Sequence, residues 1–223
     1  MKTWELLGET RTPDGTAMAL TRRDLEYIIL ADGKPLMSSR MHGSEEELAT
    51  LACKRAGRLD DPCVLVGGLG MGFTLRAALD VLPPSATVFV AELVPAVVEW
   101  NRGPLAELAG RPLEDERVRV IDGDVLDALR AHPACYDAVI LDVDNGPAAF
   151  TASSNQSLYI NEGIATARAA LKDKGVLAVW SAWEDRKFEQ RLRYAVFTVD
   201  VTRVRARLKK GGPRHTLFLA ALP

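Results

Sequence analysis

Acidic side chains stand at the ends of three successive apolar runs, downstream of a glycine cluster. Glu92 closes the run at 87–91, Asp122 and Asp124 close 118–121, and Asp142 and Asp144 close 138–141. The cluster is Gly67-Gly68-Leu69-Gly70-Met71-Gly72, entered from Val64-Leu65-Val66 and left into a helical pattern. Lacking a Cβ, such a turn takes positive φ and brings backbone close to a ligand, while the following helix aims its positive end at it. A dinucleotide, a nucleotide or an adenosyl sulfonium compound suits that cradle. Glu92 lies about 20 residues past Gly72, where an acid accepts both ribose hydroxyls of an adenosine-type ligand. Asp124, after Gly123, can accept from an adenine amino group. Asp142, at a strand tip, can hold a substrate ammonium, take its proton and free a lone pair for in-line attack. The surrounding Leu141-Asp142-Val143-Asp144-Asn145-Gly146-Pro147 also has the composition of an ordinary turn.

Strands and helices must bring these positions together. A run apolar on both faces reads as a central parallel strand, and from Cys63 onward strand and helix alternate. Strands are predicted over 63–66, 87–91, 118–121, 138–141 and 176–180, and helices near 74–82, 95–101 and 162–171. This rhythm predicts a doubly wound, largely parallel sheet whose ligands sit at the carboxyl ends of the strands. Strands at 197–208 and 216–220, joined by the short turn Lys209-Lys210-Gly211-Gly212-Pro213, must pair antiparallel. A parallel sheet ending in an antiparallel hairpin is the layout of class I methyltransferase-like folds. The expected architecture is therefore a seven-stranded Rossmann-like α/β sheet.

Ahead of it, short runs at 4–7, 17–21 and 27–30 are separated by Pro13-Asp14-Gly15 and Asp32-Gly33. They predict a small antiparallel unit of two or three strands. Residues 1–43 are assigned to this unit and 44–223 to the α/β domain. Ser44 and Glu47 read as a capping box, with Ser44 at the N-cap of a helix that stops at Gly57. The run Glu45-Glu46-Glu47 suits a helix N-terminus electrostatically, and also suits an acidic patch beside a substrate amine.

With 48% hydrophobic and 26% charged residues and a formal net charge of −2, the chain is an ordinary globular protein. Bulk attraction to nucleic acid or to an acidic membrane is not indicated. Arg203, Arg205 and Arg207 share a strand face, followed by Lys209, Lys210 and Arg214; the stripe reads as edge-protecting charge. Cys53, Cys63 and Cys135 lie far apart in the chain without metal or redox spacing, as in a reduced cytoplasmic protein. No apolar run approaches the roughly 20 residues of a membrane span, and the start of the chain lacks the apolar segment of a signal peptide. A cytoplasmic location and no metal are expected. His42, His132 and His215 have no ligand spacing. His42 is placed near the acceptor pocket as a second base, and Trp180 as pocket wall.

At these residues the sequence resembles the spermidine synthase family of polyamine aminopropyltransferases, over residues 25–180. The family's G-G-x-x-G turn, the acid after its second strand and a Gly-Asp pair after its third match Gly67-Gly68-Leu69-Gly70-Met71-Gly72, Glu92 and Gly123-Asp124. The first acid of its D-S-S-D-P motif matches Asp142, which the resemblance makes the catalytic residue, and Asp144 approximates the second. The family's Tyr-His-Glu segment has only His42-Gly43-Ser44-Glu45-Glu46-Glu47 as counterpart, and its glutamine after strand five is missing from Trp180-Ser181-Ala182-Trp183. The resemblance implies S-adenosylmethionine or its decarboxylated form as donor, and a small-molecule acceptor near His42, Glu46, Asp144 and Trp180. It also implies oligomer contacts through the N-terminal unit, hence a homodimer. Because the acceptor motifs diverge, methyl transfer to a small nucleophile is the leading expectation and aminopropyl transfer to a diamine the alternative. A module that binds an adenosine nucleoside without catalysis is a third reading.

Overall fold

The computed structural model describes residues 3–143, 146–147, 156–207 and 212–223. Four strands come first: β1 (Glu5–Arg11), β2 (Ala17–Arg23), β3 (Glu26–Ala31) and β4 (Lys34–Ser38), paired antiparallel in that order. The sequence predicts two or three of them. The fourth arises because Asp32 (φ 47°) and Gly33 (φ 74°) form a two-residue turn of the kind that reverses a hairpin. Pro35 disguises β4 as loop, yet β4 is an edge strand, where a missing N–H costs little.

The helix α1 (Gly43–Ala56) follows, burying Leu48, Ala49, Ala52, Cys53 and Ala56 at helical spacing. The chain then runs β5 (Cys63–Gly67), α2 (Phe73–Val81), β6 (Thr87–Glu92), α3 (Pro95–Arg102), β7 (Val118–Asp122), α4 (Val125–Ala131) and β8 (Tyr136–Leu141). It continues with α5 (Gln156–Tyr159), α6 (Asn161–Ala170), β9 (Leu171–Ser181), α7 (Arg186–Tyr194), β10 (Thr198–Arg205) and β11 (Arg214–Ala221). The second sheet has seven strands in the order β10-β11-β9-β8-β5-β6-β7. Strands β5 to β9 are parallel, while β11 pairs antiparallel with both β9 and β10. The expected sheet and its terminal hairpin are both present.

Period-two alternation along each central strand explains the three layers. Val64, Val66, Ala138, Ile140 and Ala178 face the side covered by α1, α2 and α3. Leu65, Val139, Leu141, Leu177 and Val179 face the side covered by α4, α6 and α7. Met18, Leu20 and Ile29 of the N-terminal sheet are buried in the first of these cores, and a side chain at Gly8 would collide with the Trp100 ring. The four-stranded sheet thus buries part of one face in this shared core. The highly charged α7 escapes the sequence reading because only Phe188 and Leu192 are buried on it.

Cys63 and Cys135, distant in sequence, are neighbours in space with their sulfurs 3.6 Å apart, both as free thiols. Burial pushes the Cys63 thiol up to about 12, away from the thiolate form that reacts. On the edge strand β10, Arg203 pairs with Glu184. Lys209 and Lys210 lie outside the described residues. Among the described residues no helix is long and apolar enough to cross a membrane.

Candidate active site

Strand order reverses at β5, with β6 and β7 on one side and β8 and β9 on the other, so a crevice opens at its carboxyl end. The glycine turn fills that position. Gly67 pairs with Leu141, and its carbonyl accepts the Asp142 N–H at 2.9 Å. Gly68 has φ +87°, and a Cβ there would run into the Asp142 carbonyl oxygen. Gly70 has φ +52°, and a Cβ would reach Met37 Sδ at 3.1 Å on the opposite wall. The turn is held from behind by Asn101, whose Nδ2 donates to the carbonyls of Gly70 (2.8 Å) and Val97 (2.9 Å). Gly72 caps α2 with φ 85°.

Glu92 closes the other flank. The N–H groups of Leu69 and Val94 each donate to one of its carboxylate oxygens at 2.9 Å. Burial raises its pKa, and the surrounding backbone N–H groups oppose that rise. The carboxylate is thereby fixed against the glycine turn at the carboxyl end of β6. Asp124 follows β7 as the N-cap of α4, one oxygen accepting the Leu126 N–H at 2.8 Å.

Next to the turn lies a cavity of about 180 Å³ whose walls include Met37, Met41, Glu45, Met71, Phe73, Thr74, Asp142, Trp180 and His215. Two carboxylates enter it. Asp142 accepts a hydrogen bond from the Thr74 hydroxyl, and burial pushes its pKa up to about 6 against that bond. Glu45 is pushed up to about 8, first by burial and then by the Asp142 charge. Two enclosed carboxylates, with the Asp142 charge helping to raise Glu45, stand in a thioether and aromatic pocket, an arrangement that can receive a cation. Among the described lining residues there is no lysine and no arginine.

Ser44 lies fully buried behind the wall formed by Glu45, Trp180 and His215. It accepts the Trp180 indole N–H at 3.0 Å, donates to Glu45 Oε2 at 3.0 Å and lies 2.8 Å from His215 Nδ1. The His215 ring stands edge-on to Trp180, 4.5 Å between centroids.

The sequence-derived candidates thus separate. Gly67, Gly68, Gly70, Gly72 and Glu92 meet at the turn, Gly123 and Asp124 follow the neighbouring strand, and Asp142 and Trp180 line the cavity. Asp144 lies outside the described residues. His42 and Glu46 bond to each other at 2.7 Å, and His42 stacks on Phe73 at 3.9 Å, so the pair buttresses Phe73 from behind. Glu45 takes the lining position instead. The cause is helix phase: Glu46 N–H donates to the His42 carbonyl, closing the first turn on His42, so Ser44 is inside α1 rather than at its N-cap. Its hydroxyl turns inward to Trp180 and His215. Sequence reasoning passes over Thr74 and His215, and singles out Glu46 rather than Glu45 from the acidic run. Glu45 had a local signal in the acidic run, whereas His215 reaches the site only through the register of the last strand.

No family model matches the chain. The polyamine aminopropyltransferase of Korarchaeum cryptofilum is 32% identical over 120 residues, which are 53% of this chain and 35% of that relative. The matched stretch is therefore about a third of the relative's length. Among solved structures, the spermidine synthase of Thermotoga maritima superposes with a TM-score of 0.73 at 18% identity, covering 98% of this chain and 73% of that one. A spermidine synthase in complex with a transition-state analogue gives the same score and identity over 98% and 72%. A probable spermidine synthase from Corynebacterium glutamicum gives 0.65 at 16% identity, over 96% and 79%. The chain has the fold of these structures, and its sequence resembles a polyamine aminopropyltransferase.

Proposed function

We propose that this protein transfers an aminopropyl group from decarboxylated S-adenosylmethionine to a small amine. The observation that carries the reading is the pair Glu45 and Asp142, with no lysine or arginine among the described residues around them. A donor and an acceptor that are both cations, neither bearing a carboxylate, match those walls. Methyl transfer, the leading expectation from the sequence, gives way here. Its donor keeps a carboxylate that these acids repel, and the named relative is an aminopropyltransferase.

The residues present fit such a donor. The turn at Gly68 and Gly70 takes positive φ and carries no side chain, as a backbone cradle for an adenosyl group requires; Glu92 beside it is the acid assigned to the ribose hydroxyls and Asp124, after β7, the one assigned to the adenine. When bound, the donor supplies a sulfonium-activated carbon, with sulfur leaving as a neutral thioether. Asp142 and Glu45 attract the acceptor's ammonium, and their raised pKa values make them competent to take its proton near neutral pH. Thr74 fixes one Asp142 oxygen, orienting the carboxylate. Phe73, Trp180 and the methionines keep water away from the exposed lone pair.

In a discontinuous assay with decarboxylated S-adenosylmethionine, methylthioadenosine is expected only when a primary amine is added. Equal release without the amine, or turnover of S-adenosylmethionine alone, would overturn the reading.

A further inference from the structure

The proposed reaction has a proton to dispose of. Attack of an amine on the sulfonium carbon forms one N–C bond and breaks one C–S bond, with the electron pair leaving on sulfur. An acceptor that arrives as R–NH3+ leaves as a secondary ammonium, so each turnover sets one proton free beside Asp142 and Glu45. Both carboxylates are enclosed, and a retained proton would neutralise the site before the next ammonium arrives.

One hydroxyl connects that pair to the outer strands. Ser44 is fully buried and touches three partners at hydrogen-bond distance: Trp180 Nε1, Glu45 Oε2 and His215 Nδ1. Trp180 can only donate, so one lone pair of Ser44 Oγ is always occupied. What remains is one lone pair and one hydrogen, shared between a carboxyl and an imidazole. With Glu45 ionised, Ser44 donates to it and accepts from Nδ1–H. With Glu45 protonated, Ser44 accepts from the carboxyl and donates to Nδ1. Switching between the two arrangements moves one proton from Glu45 to His215 with no heavy atom displaced. His215 is partly exposed, whereas Ser44 is not.

We propose that Ser44 and His215 form the proton exit of the Glu45–Asp142 pair, passing the proton released from the acceptor amine to the imidazole and from there to solvent. The proposal rests on the amine-transfer reading of the site. Burial lowers His215 while it raises Glu45, so the proton resides mainly on Glu45, and an imidazole that receives it passes it on readily. Charged groups on the elements around it are Glu45 and Glu46 on α1 with His42 before it, and Asp142 past β8. Further charged groups on these elements are Glu47 and Lys54 on α1, Glu184 past β9, Asp200, Arg203 and Arg205 on β10, and Arg214 on β11. None of them bridges to Glu45 as Ser44 does.

His215→Asn separates the roles, because its amide can keep the bond to Ser44 but cannot carry a proton. The expected result is a kcat lower by about 10- to 100-fold with acceptor KM unchanged, partly restored by added imidazole. In parallel, the His215 Nδ1 signal of 15N-histidine-labelled protein is followed from pH 5 to 9 in wild type and in Ser44→Ala. A wild-type inflection as Glu45 titrates, lost in Ser44→Ala, supports the exit. A kcat and pH profile in His215→Asn equal to wild type, or a His215 signal blind to Glu45, overturns it. If the wild-type protein turns over no amine, the proposed function fails, and the inflection still decides whether the two groups exchange a proton.

Discussion

Asp142→Asn is expected to lower kcat by about 10²- to 10⁴-fold while leaving donor affinity within a few-fold of wild type. The amide is nearly isosteric, and its carbonyl can still accept the Thr74 hydroxyl, so the tip of β8 stays as it is. The Asp142 backbone N–H keeps its bond to the Gly67 carbonyl, so the glycine turn is also unperturbed. What disappears is the proton acceptor facing the amine and half of the charge that attracts it. Steady-state kinetics with parallel calorimetry of donor binding measure the split. Turnover within a factor of a few of wild type would remove Asp142 from the chemistry.

Glu45→Gln should act mainly on the acceptor. Removing one partner of an enclosed ammonium costs about 3 kcal/mol, or roughly 100-fold in acceptor KM. The same variant carries a pH signature. Asp142 and Glu45 have folded-state pKa values above their ordinary ones, about 6 against 3.8 and about 8 against 4.5. A raised carboxyl contributes stability that is complete below its ordinary pKa and is lost as pH rises through its folded value. The ligand-free protein should therefore lose melting temperature between about pH 4 and pH 8, and Glu45→Gln should flatten the upper part of that fall. An unchanged KM together with an unchanged pH slope would show that Glu45 is not paired with Asp142 in solution.

Both variants concern a site that the sequence discloses unevenly. The glycine turn, Glu92 and Asp142 are legible because each is local: a strand, a turn and an acid at a strand tip follow from nearby residues alone. Parallel strands and a two-stranded ending follow from apolar runs and the spacing between them. The acceptor wall is different. Whether Glu45 or Glu46 faces the cavity depends on where α1 begins, and a single residue of helix phase turns a side chain by about 100°. Ser44 resembles an N-cap by composition, yet the buried Trp180 and the half-buried His215 offer its hydroxyl partners from distant strands. His215 comes from β11 and reaches Ser44 only because β11 pairs with β9, a register set by packing across the sheet. β4 was hidden for a simpler reason, since Pro35 is tolerated only at an edge whose existence depends on the rest of the sheet.

In the proposed function, Asp142 and Glu45 select cations that carry no carboxylate of their own. Isothermal titration with decarboxylated S-adenosylmethionine, S-adenosylmethionine and methylthioadenosine in parallel tests it most directly. Decarboxylated donor binding at least about tenfold more tightly than S-adenosylmethionine, a difference of about 1.4 kcal/mol, is the predicted result. Equal or tighter binding of S-adenosylmethionine would contradict the account and return the site to methyl transfer.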